Sequence, residues 1–301
     1  MRRTTLFPLY ILLTTCLFSA AIAQEPDDEI ISVDSSIVVL NASITDSSGK
    51  AVGGLASGLF KVFEDGVEQE IRLMQAEETP FAAVILLDTS GSMETRVSLA
   101  RSAAIQFLQG LRIDDHAAIL NFDSKVETVQ EFSNSRDMRD RVFDLKAGGM
   151  TVLNDAVFKA VEMLAERADK RRAVVVLSDG ADTMSRKSAD KALDAALAAG
   201  VTIYTVDMSA INTGGVARRQ NQGVLKNFAE KSGGRFIATP GGIAMRDAFR
   251  QIVEELGLQY TIAYEPSNTK KDGKWRAIEL RVAQPNLTIR TRKGYRAPKA
   301  K

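Results

Sequence analysis

A run of six apolar residues from Ala82 to Leu87 constrains the fold of this chain more than any other stretch. Its unbroken apolar character predicts a β-strand buried on both faces, as in parallel sheets covered by helices on both sides. The run ends in Asp88-Thr89-Ser90-Gly91-Ser92, and a long amphipathic helical pattern follows. A carboxylate and two hydroxyls are therefore expected at the carboxyl end of a central strand, where open α/β sheets place their ligand sites.

Strand and helix patterns alternate from residue 81 to about residue 257. Strands are predicted at 82–88, 117–122, 173–178, 201–206 and 234–238. Helices are predicted at 94–111, 135–145, 153–168, 188–199, 215–232 and 242–256. Alternation at this spacing is typical of βαβ units, and it predicts a doubly wound, mostly parallel α/β sheet.

Both flanks of this region have shorter, β-like patterns. Residues 37–44 predict a strand, and Phe60–Glu64 and 68–73 predict a hairpin around Asp65-Gly66. After the α/β region, strands are predicted at 258–264, 275–282 and 287–292. Each flank is too short to bury a core alone. We therefore expect residues 30–80 and 258–297 to pair into one small antiparallel β-sandwich, with the α/β domain at 81–257 inserted between them. Its predicted core aromatics are Phe60, Phe63, Tyr260, Tyr264 and Trp275.

The first residues resemble an export signal. Arg2 and Arg3 precede an apolar stretch at 6–21, and Ala21-Ile22-Ala23 has the small residues of a cleavage site. We expect a signal peptide at 1–23 and export to the periplasm, the cell surface or the medium. An uncleaved membrane anchor is the alternative, which leaves membrane contact open. Residues 24–29 are a polar leader predicted to be disordered, and residues 298–301 form a short tail.

Composition excludes several functional classes. Without Arg2 and Arg3, Lys and Arg number 37 against 38 Asp and Glu, so no basic excess indicates nucleic-acid binding. Cleavage after Ala23 would remove the single cysteine. The single histidine, His116, lies in a polar stretch that predicts a surface turn. The sequence also lacks a Gly-x-Ser-x-Gly nucleophile motif and a P-loop, which argues against an enzyme.

Two further stretches carry oxygen ligands toward the same edge of the sheet. Residues 173–178 form a second apolar run that leads into Asp179, and Gly148-Gly149-Met150-Thr151 is a glycine-rich loop before a helix. If the two strands are neighbours, Asp88 and Asp179 emerge together at a switch point. A site of carboxylates and hydroxyls alone favours a hard cation such as Mg²⁺, or else Mn²⁺ or Ca²⁺. Taken singly, the hydroxyl residues could instead be helix caps and Asp179 a turn residue.

These three motifs, in this order, resemble those of von Willebrand factor A domains. The flanks are similar to bacterial exported proteins that are related to this family and typical of acidobacteria, notably at residues 63–71 and in Arg292-Lys293-Gly294-Tyr295. The resemblance implies a metal-ion-dependent adhesion site. In this sequence its ligands would be Asp88, Ser90, Ser92, Thr151 and Asp179.

The resemblance also implies a function for this site. A bound Mg²⁺ with an open position would accept a carboxylate from a protein partner, which indicates an exported, non-enzymatic adhesion module. Two alternatives stay open at this stage. One is a Mg²⁺-dependent hydrolase, because aspartate and metal together can activate water. The other is a structural envelope protein in which the metal only stabilises the fold.

Overall fold

The computed structural model describes residues 37–76, 78–138, 140–209, 215–238 and 242–299. The predicted signal peptide and polar leader, at residues 1–29, lie outside these ranges, as do residues 30–36 and the last two residues. Within the described ranges, no helix is both long and apolar enough to span a lipid bilayer.

Between residues 81 and 257, the strands and helices of the described residues follow the predicted alternation except at residues 126–145. The strands are β1 (Val38–Thr45), β2 (Phe60–Glu64), β3 (Val67–Gln69), β4 (Ile71–Gln75), β5 (Phe81–Asp88), β6 (His116–Phe122), β7 (Val126–Ser133), β8 (Arg171–Ser178), β9 (Val201–Asp207), β10 (Phe236–Ile237), β11 (Tyr260–Tyr264), β12 (Trp275–Val282), β13 (Thr288–Arg290) and β14 (Gly294–Arg296). The helices are α1 (Val97–Gln109), α2 (Leu153–Ala165), α3 (Ala189–Ala198), α4 (Val216–Ser232) and α5 (Gly242–Gly257).

A six-stranded sheet with the order β10-β9-β8-β5-β6-β7 forms the centre of the fold. All neighbouring strands in it are parallel except β6 and β7. Alternate residues of β5 face opposite layers: Ile85 and Leu87 pack with α1 and α5, while Val84 and Leu86 pack with α2, α3 and α4. The predicted doubly wound, mostly parallel sheet is confirmed. Because β6 and β8 lie on opposite sides of β5, the chain changes direction beside β5, at the switch point.

The prediction was wrong between β6 and α2. Residues 126–133 form β7, an antiparallel edge strand that was not predicted. The helix predicted at 135–145 is absent, and its described residues form turns with a short 3₁₀ turn at Asp140–Val142. The apolar residues Met138, Val142 and Leu145 have helical spacing and pack on one core cluster, which explains the false signal. Ser135 Oγ accepts a hydrogen bond from the Asp137 N–H at 3.1 Å, so this N–H has a local side-chain partner in the turn.

The flanking segments form two separate antiparallel sheets. One has the order β13-β1-β11-β4 and the other β14-β12-β2-β3, so each contains strands from before and after the central sheet. Leu40, Val62, Tyr260 and Leu280 are buried in the core that the two sheets share. The antiparallel part of the predicted fold class is therefore confirmed. The exact division of the chain at residues 80 and 257 stays a prediction.

The hairpin at Asp65-Gly66 forms, but its second strand is shorter than predicted. Asp65 and Gly66 both have positive φ angles, 49° and 82°, as a two-residue hairpin turn requires. β3 ends at Gln69 and stays beside β2. β4 then pairs with β11 in the other sheet. The predicted single strand at 68–73 is thus broken at Glu70, where the chain crosses between the two sheets.

Two of the aromatics predicted for the sandwich core lie elsewhere. Phe60, Tyr260 and Tyr264 are buried in it. Trp275 instead packs against the cluster under α2, α3 and α4 of the central sheet. Phe63 is only half-buried, and the Arg281 guanidinium lies 4.2 Å from its ring centre. β12 therefore contributes its first side chain to the interface with the central sheet rather than to the sandwich core.

The two flank motifs that carried the resemblance meet in one buried polar network. The Glu64 carboxylate, which is buried, accepts hydrogen bonds from the hydroxyls of Tyr264 at 2.8 Å and Tyr295 at 3.0 Å. Burial raises the pKa of both tyrosines, and Glu64 raises it further. A Cβ at Gly294 would lie 2.3 Å from the Arg276 carbonyl oxygen, so the glycine beside Tyr295 allows β14 to approach β12. The two motifs therefore contact each other through the Glu64 carboxylate and the Tyr295 hydroxyl.

Arg171, the first residue of β8, holds the junction between the central sheet and the flanks. Its side chain is fully buried, and Nη1 donates to the carbonyl oxygens of Gly257 at 2.7 Å and Leu256 at 3.3 Å. Nη2 donates to the carbonyl oxygen of Gln259, and the Thr79 carbonyl lies 3.5 Å from Nη1. Burial lowers the pKa of Arg171 to about 10. One guanidinium thus satisfies carbonyls both at the end of α5 and before β5.

Candidate metal site

Asp88, the last residue of β5, is fully buried and organises the loop that follows it. Its Oδ1 accepts hydrogen bonds from the Ser90 N–H at 2.9 Å and from Ser90 Oγ at 2.5 Å. Ser90 Oγ lies 3.2 Å from Ser92 Oγ. Ser90 is extended, and a short 3₁₀ turn at Gly91–Met93 brings Ser92 back toward it. The structure therefore brings the three oxygen-bearing residues of this stretch together.

The neighbouring strand β8 places Ser178 and Asp179 beside Asp88. Leu87 of β5 pairs with Leu177 of β8, so the two strands end at the same level. Ser178 Oγ donates a hydrogen bond to Asp88 Oδ2 at 2.6 Å. Asp179 follows directly and is half-buried, and the Ala181 N–H donates to its Oδ1 at 3.0 Å. The expected adjacency of the two strands holds.

The glycine-rich loop lies against the Asp88 loop. The Gly148 N–H donates to the Thr89 carbonyl oxygen at 2.9 Å, and the Gly91 N–H donates to the Gly149 carbonyl oxygen at 3.3 Å. Gly149 has a φ of 75°, and a Cβ there would lie 2.5 Å from Ser124 Oγ. Only glycine fits this close approach. The loop brings Thr151, which is buried, to the same edge of the sheet.

The intervening residue of this loop, Met150, does not disturb it. Its N–H donates to Ser124 Oγ at 3.0 Å, and its side chain is exposed. Met150, which separates Gly149 from Thr151, is therefore accommodated on the surface.

Asp88 is electrostatically unusual. Burial raises its pKa to about 6, whereas the hydrogen bonds from Ser178 and Ser90 lower it, and the charge of Asp179 raises it. In the described part of the chain, no lysine or arginine forms an ion pair with Asp88 or Asp179. A buried carboxylate that lacks a protein cation is costly unless another positive group compensates it. This is the environment that a bound metal ion would stabilise.

The donor set fits a hard divalent cation. The five predicted ligands comprise two carboxylates, from Asp88 and Asp179, and three hydroxyls. Mg²⁺ is commonly bound by one or two carboxylates together with neutral oxygens and water. Among the described residues, no three His, Cys, Asp or Glu side chains converge as a metal-binding group, so a site here depends on the hydroxyls. Ser92 is exposed, which leaves this side of the cluster open to solvent.

Sequence reasoning missed the role of Ser178, and for Asp182 it favoured a solvated turn over a ligand-contacting role. Ser178 Oγ also accepts a hydrogen bond from the Gly180 N–H at 2.9 Å, so it holds both strand ends. Asp182 Oδ2 accepts a hydrogen bond from the Asn154 N–H at 2.8 Å and caps α2 from another loop. The Ser-Asp-Gly sequence at residues 178–180 was the only sequence signal for the role of Ser178. No local sequence pattern predicts that Asp182 caps α2, because its partner, Asn154, is 28 residues away.

A similar local motif occurs at the end of β9, where it has a different environment. Asp207 is buried, and its Oδ1 accepts hydrogen bonds from the Ser209 N–H at 2.9 Å and Ser209 Oγ at 2.5 Å. Its Oδ2, however, accepts a hydrogen bond from Gln222 Nε2 at 2.7 Å and lies 3.8 Å from Arg218 Nη2. Here the protein itself supplies the compensating cation. Asp207 is therefore a natural comparison for Asp88.

Comparison with known proteins agrees with this fold. A curated relative, inter-alpha-trypsin inhibitor heavy chain H3 of Bos taurus, is 25% identical over 115 residues, which are 34% of this chain and 13% of that protein. The chain thus spans only a small part of that relative's length. Two solved structures share the fold at 14% identity. The von Willebrand factor type A protein from Catenulispora acidiphila has a TM-score of 0.50 over 89% of this chain and 75% of that chain.

The second is the vWF domain of the type V pili tip protein Mfa5 from Porphyromonas gingivalis. Its TM-score is 0.51 over 61% of this chain and 98% of that chain. The sequence model of the von Willebrand factor type A domain matches residues 83–251, more than half of the chain. The matched region contains the whole cluster around Asp88. On this evidence, the chain belongs to the von Willebrand factor type A domain family.

Proposed function

We propose that this protein is an exported binding module that holds a divalent cation, preferably Mg²⁺, and uses it to bind an acidic residue of a protein partner. The observation that carries the proposal is the buried Asp88 carboxylate, which receives three hydrogen bonds from Ser90 and Ser178 but forms no ion pair within the described chain. The metal ligands in this proposal are Asp88, Ser90, Ser92, Thr151 and Asp179.

Each residue group has a distinct part in the proposed site. Asp88 and Asp179 together would balance the charge of the ion, and Ser178 would fix the orientation of the Asp88 carboxylate. The Ser90, Ser92 and Thr151 hydroxyls are neutral ligands. A bound Mg²⁺ would supply an electrophilic position that can accept a carboxylate oxygen from outside. The exposed position of Ser92 supports approach from that side.

The position of the single histidine relative to the Asp88 cluster favours binding over catalysis. The single histidine, His116, begins β6, whereas Phe122 at the other end of that strand pairs with Asp88. No histidine is therefore placed to transfer a proton at the site. Export is proposed from the residues 1–23 alone. The occurrence of this fold in a pilus tip protein is consistent with a surface role but does not assign one.

Calorimetric titration with Mg²⁺ and with Mn²⁺ tests the metal site. We expect uptake of one ion by the wild-type protein and a loss of at least tenfold in affinity for Asp88→Asn, which keeps the side-chain shape. The matched control is Asp207→Asn, which alters the same local motif where Arg218 compensates the charge. Equal uptake by the wild type and Asp88→Asn would refute the assignment.

Capture from an envelope extract tests the function of the site. We expect a protein partner that is retained in Mg²⁺, released by EDTA and not captured by Asp88→Asn. Retention that is indifferent to EDTA would favour a structural role for the metal. Turnover of phosphate esters by the wild type that disappears in Asp179→Ala would instead support a hydrolase.

A further inference from the structure

The segment after Asp179 is bonded to the segment that carries Thr151. The N–H groups of Thr183 and Met184 donate to the Thr151 carbonyl oxygen at 2.9 and 3.0 Å. In return, the Thr151 N–H donates to Thr183 Oγ1 at 2.9 Å. Both polar groups of the Thr151 backbone are therefore held by the loop that follows β8.

The same loop caps the helix that follows Thr151. Val152, at the N-cap position of α2, provides no capping side chain. The Asn154 N–H, which would otherwise lack a partner in the first turn, donates to Asp182 Oδ2 at 2.8 Å. The Asp182 carboxylate also lies at the positive end of the helix dipole, where a negative charge is stabilising. Asp182 thus anchors the start of α2 from outside the helix.

Asp155, in the first turn of α2, also forms hydrogen bonds with the loop that follows β8. Its N–H donates to Ser185 Oγ at 3.1 Å. Its carboxylate accepts hydrogen bonds from the N–H groups of Arg186 at 3.0 Å and Lys187 at 2.8 Å. Donors and acceptors thus run both ways between the two segments. We call residues 151–155 and 182–187 together the α2 interlock.

The α2 interlock begins close to Asp179, the second carboxylate among the proposed metal ligands. Only Gly180 and Ala181 separate Asp179 from Asp182. Gly180 has a φ of 81°, and a Cβ there would lie 2.5 Å from the Asn221 carbonyl oxygen, so this end of the loop fits tightly against α4. The loop is therefore fixed at α4 on one side and at Thr151 on the other.

We propose that the α2 interlock sets the position of Thr151 relative to Asp179, and that Thr183 and Asp155 are positioning residues of the metal site. The inference rests on the proposed function, because it gives these residues a role toward the same site. Neither residue is itself proposed as a ligand. Their contribution is to hold a hydroxyl and a carboxylate from two different loops at one fixed separation. Outer partners of metal ligands typically change affinity by 10–100-fold when they are removed.

The test has two arms and uses Thr183→Val, with Thr183→Ser as the conservative control. In the first arm, amide hydrogen exchange is measured in EDTA. We expect Thr183→Val to lose protection in residues 151–155 and 182–187 together, with the central strands unchanged, and Thr183→Ser to resemble the wild type. Protection lost in only one of the two segments would contradict a shared rigid unit. If Thr183→Val does not fold, Asp155→Asn takes its place.

In the second arm, Mn²⁺ is titrated into the same proteins. We expect about tenfold weaker binding or more for Thr183→Val, and affinity within about twofold of the wild type for Thr183→Ser. A wild type that binds Mn²⁺ together with a Thr183→Val that binds it equally would overturn the positioning role and leave the proposed function intact. A wild type that binds no Mn²⁺ would overturn the proposed function, and the exchange arm would still decide whether the interlock exists.

Discussion

Replacing Arg171 by methionine tests how the central sheet is joined to the flanking sheets. Methionine has a similar unbranched side chain, so the substitution removes the donors and leaves much of the packing volume. The buried carbonyls of Leu256, Gly257 and Gln259 then lose the donor that they receive from Arg171.

The expected loss follows from these bonds. A hydrogen bond from a charged donor contributes about 1.5–3 kcal/mol net. Two short bonds, to Gly257 and Gln259, give a gross loss of about 3–6 kcal/mol, and removing a buried charge recovers part of it. We therefore expect a net destabilisation of about 2–4 kcal/mol. In a protein of this size, this corresponds to a fall of about 5–15 °C in the unfolding midpoint.

Urea unfolding followed by circular dichroism measures this loss, together with a calorimetric scan in EDTA. The matched control is Arg72→Met on β4, where the side chain is exposed and, among the described residues, forms an ion pair with Glu70. We expect that control to stay within about 0.5 kcal/mol of the wild type. A loss for Arg171→Met no larger than that of Arg72→Met would refute the role of Arg171 at the junction.

Three further substitutions or conditions probe the site and the flanks. Gly180→Ala should lose about 2–4 kcal/mol of stability, because its Cβ would meet the Asn221 carbonyl at 2.5 Å, whereas Gly49→Ala, at a similar φ but in open space, should lose only about 1 kcal/mol; equal losses in urea unfolding would contradict the packing argument. Ser178→Ala should cost about 1.5–3 kcal/mol in EDTA, since a buried carboxylate loses a hydrogen bond; denaturant curves that superimpose on the wild type would contradict it. The burial and the Glu64 hydrogen bond that raise the pKa of Tyr264 should stabilise the folded protein fully below a pH of about 10. This stabilisation should be lost progressively as the pH rises above that value, because the tyrosine ionises at a lower pH in the unfolded chain than in the folded one. Ultraviolet titration in which all tyrosines ionise at the free value would contradict this.

The sequence predicted the parts of the fold that depend on local pattern. The apolar runs at 82–87 and 173–177 determine two buried strands, and the polar residues that follow each run must then lie at the same edge. The end of the helix predicted at 215–232 was equally local, because Gly233 adopts the left-handed conformation that follows the last residue of α4. The two strands therefore place Asp88 and Asp179 at one edge of the sheet, as predicted, and the five-ligand metal site stays a proposal.

The features that were missed depend on contacts between distant residues. The helical spacing of Met138, Val142 and Leu145 arises because they reach one core cluster from turns, and spacing alone cannot distinguish that case from a helix. The strand predicted at 68–73 is divided because its two parts, β3 and β4, pair with strands of different sheets. Trp275 packs on the central sheet, which no pattern within β12 could indicate. The capping of α2 by Asp182 likewise joins residues from different loops.

The most direct test of the proposed metal site is anomalous diffraction from crystals grown with Mn²⁺. We expect one anomalous difference peak in contact with Ser90 Oγ and Ser92 Oγ in the wild type, and no peak there in Asp88→Asn. A Mn²⁺ peak at Asp207 instead, or none near Ser90 and Ser92 in wild-type crystals, would refute the proposed metal site.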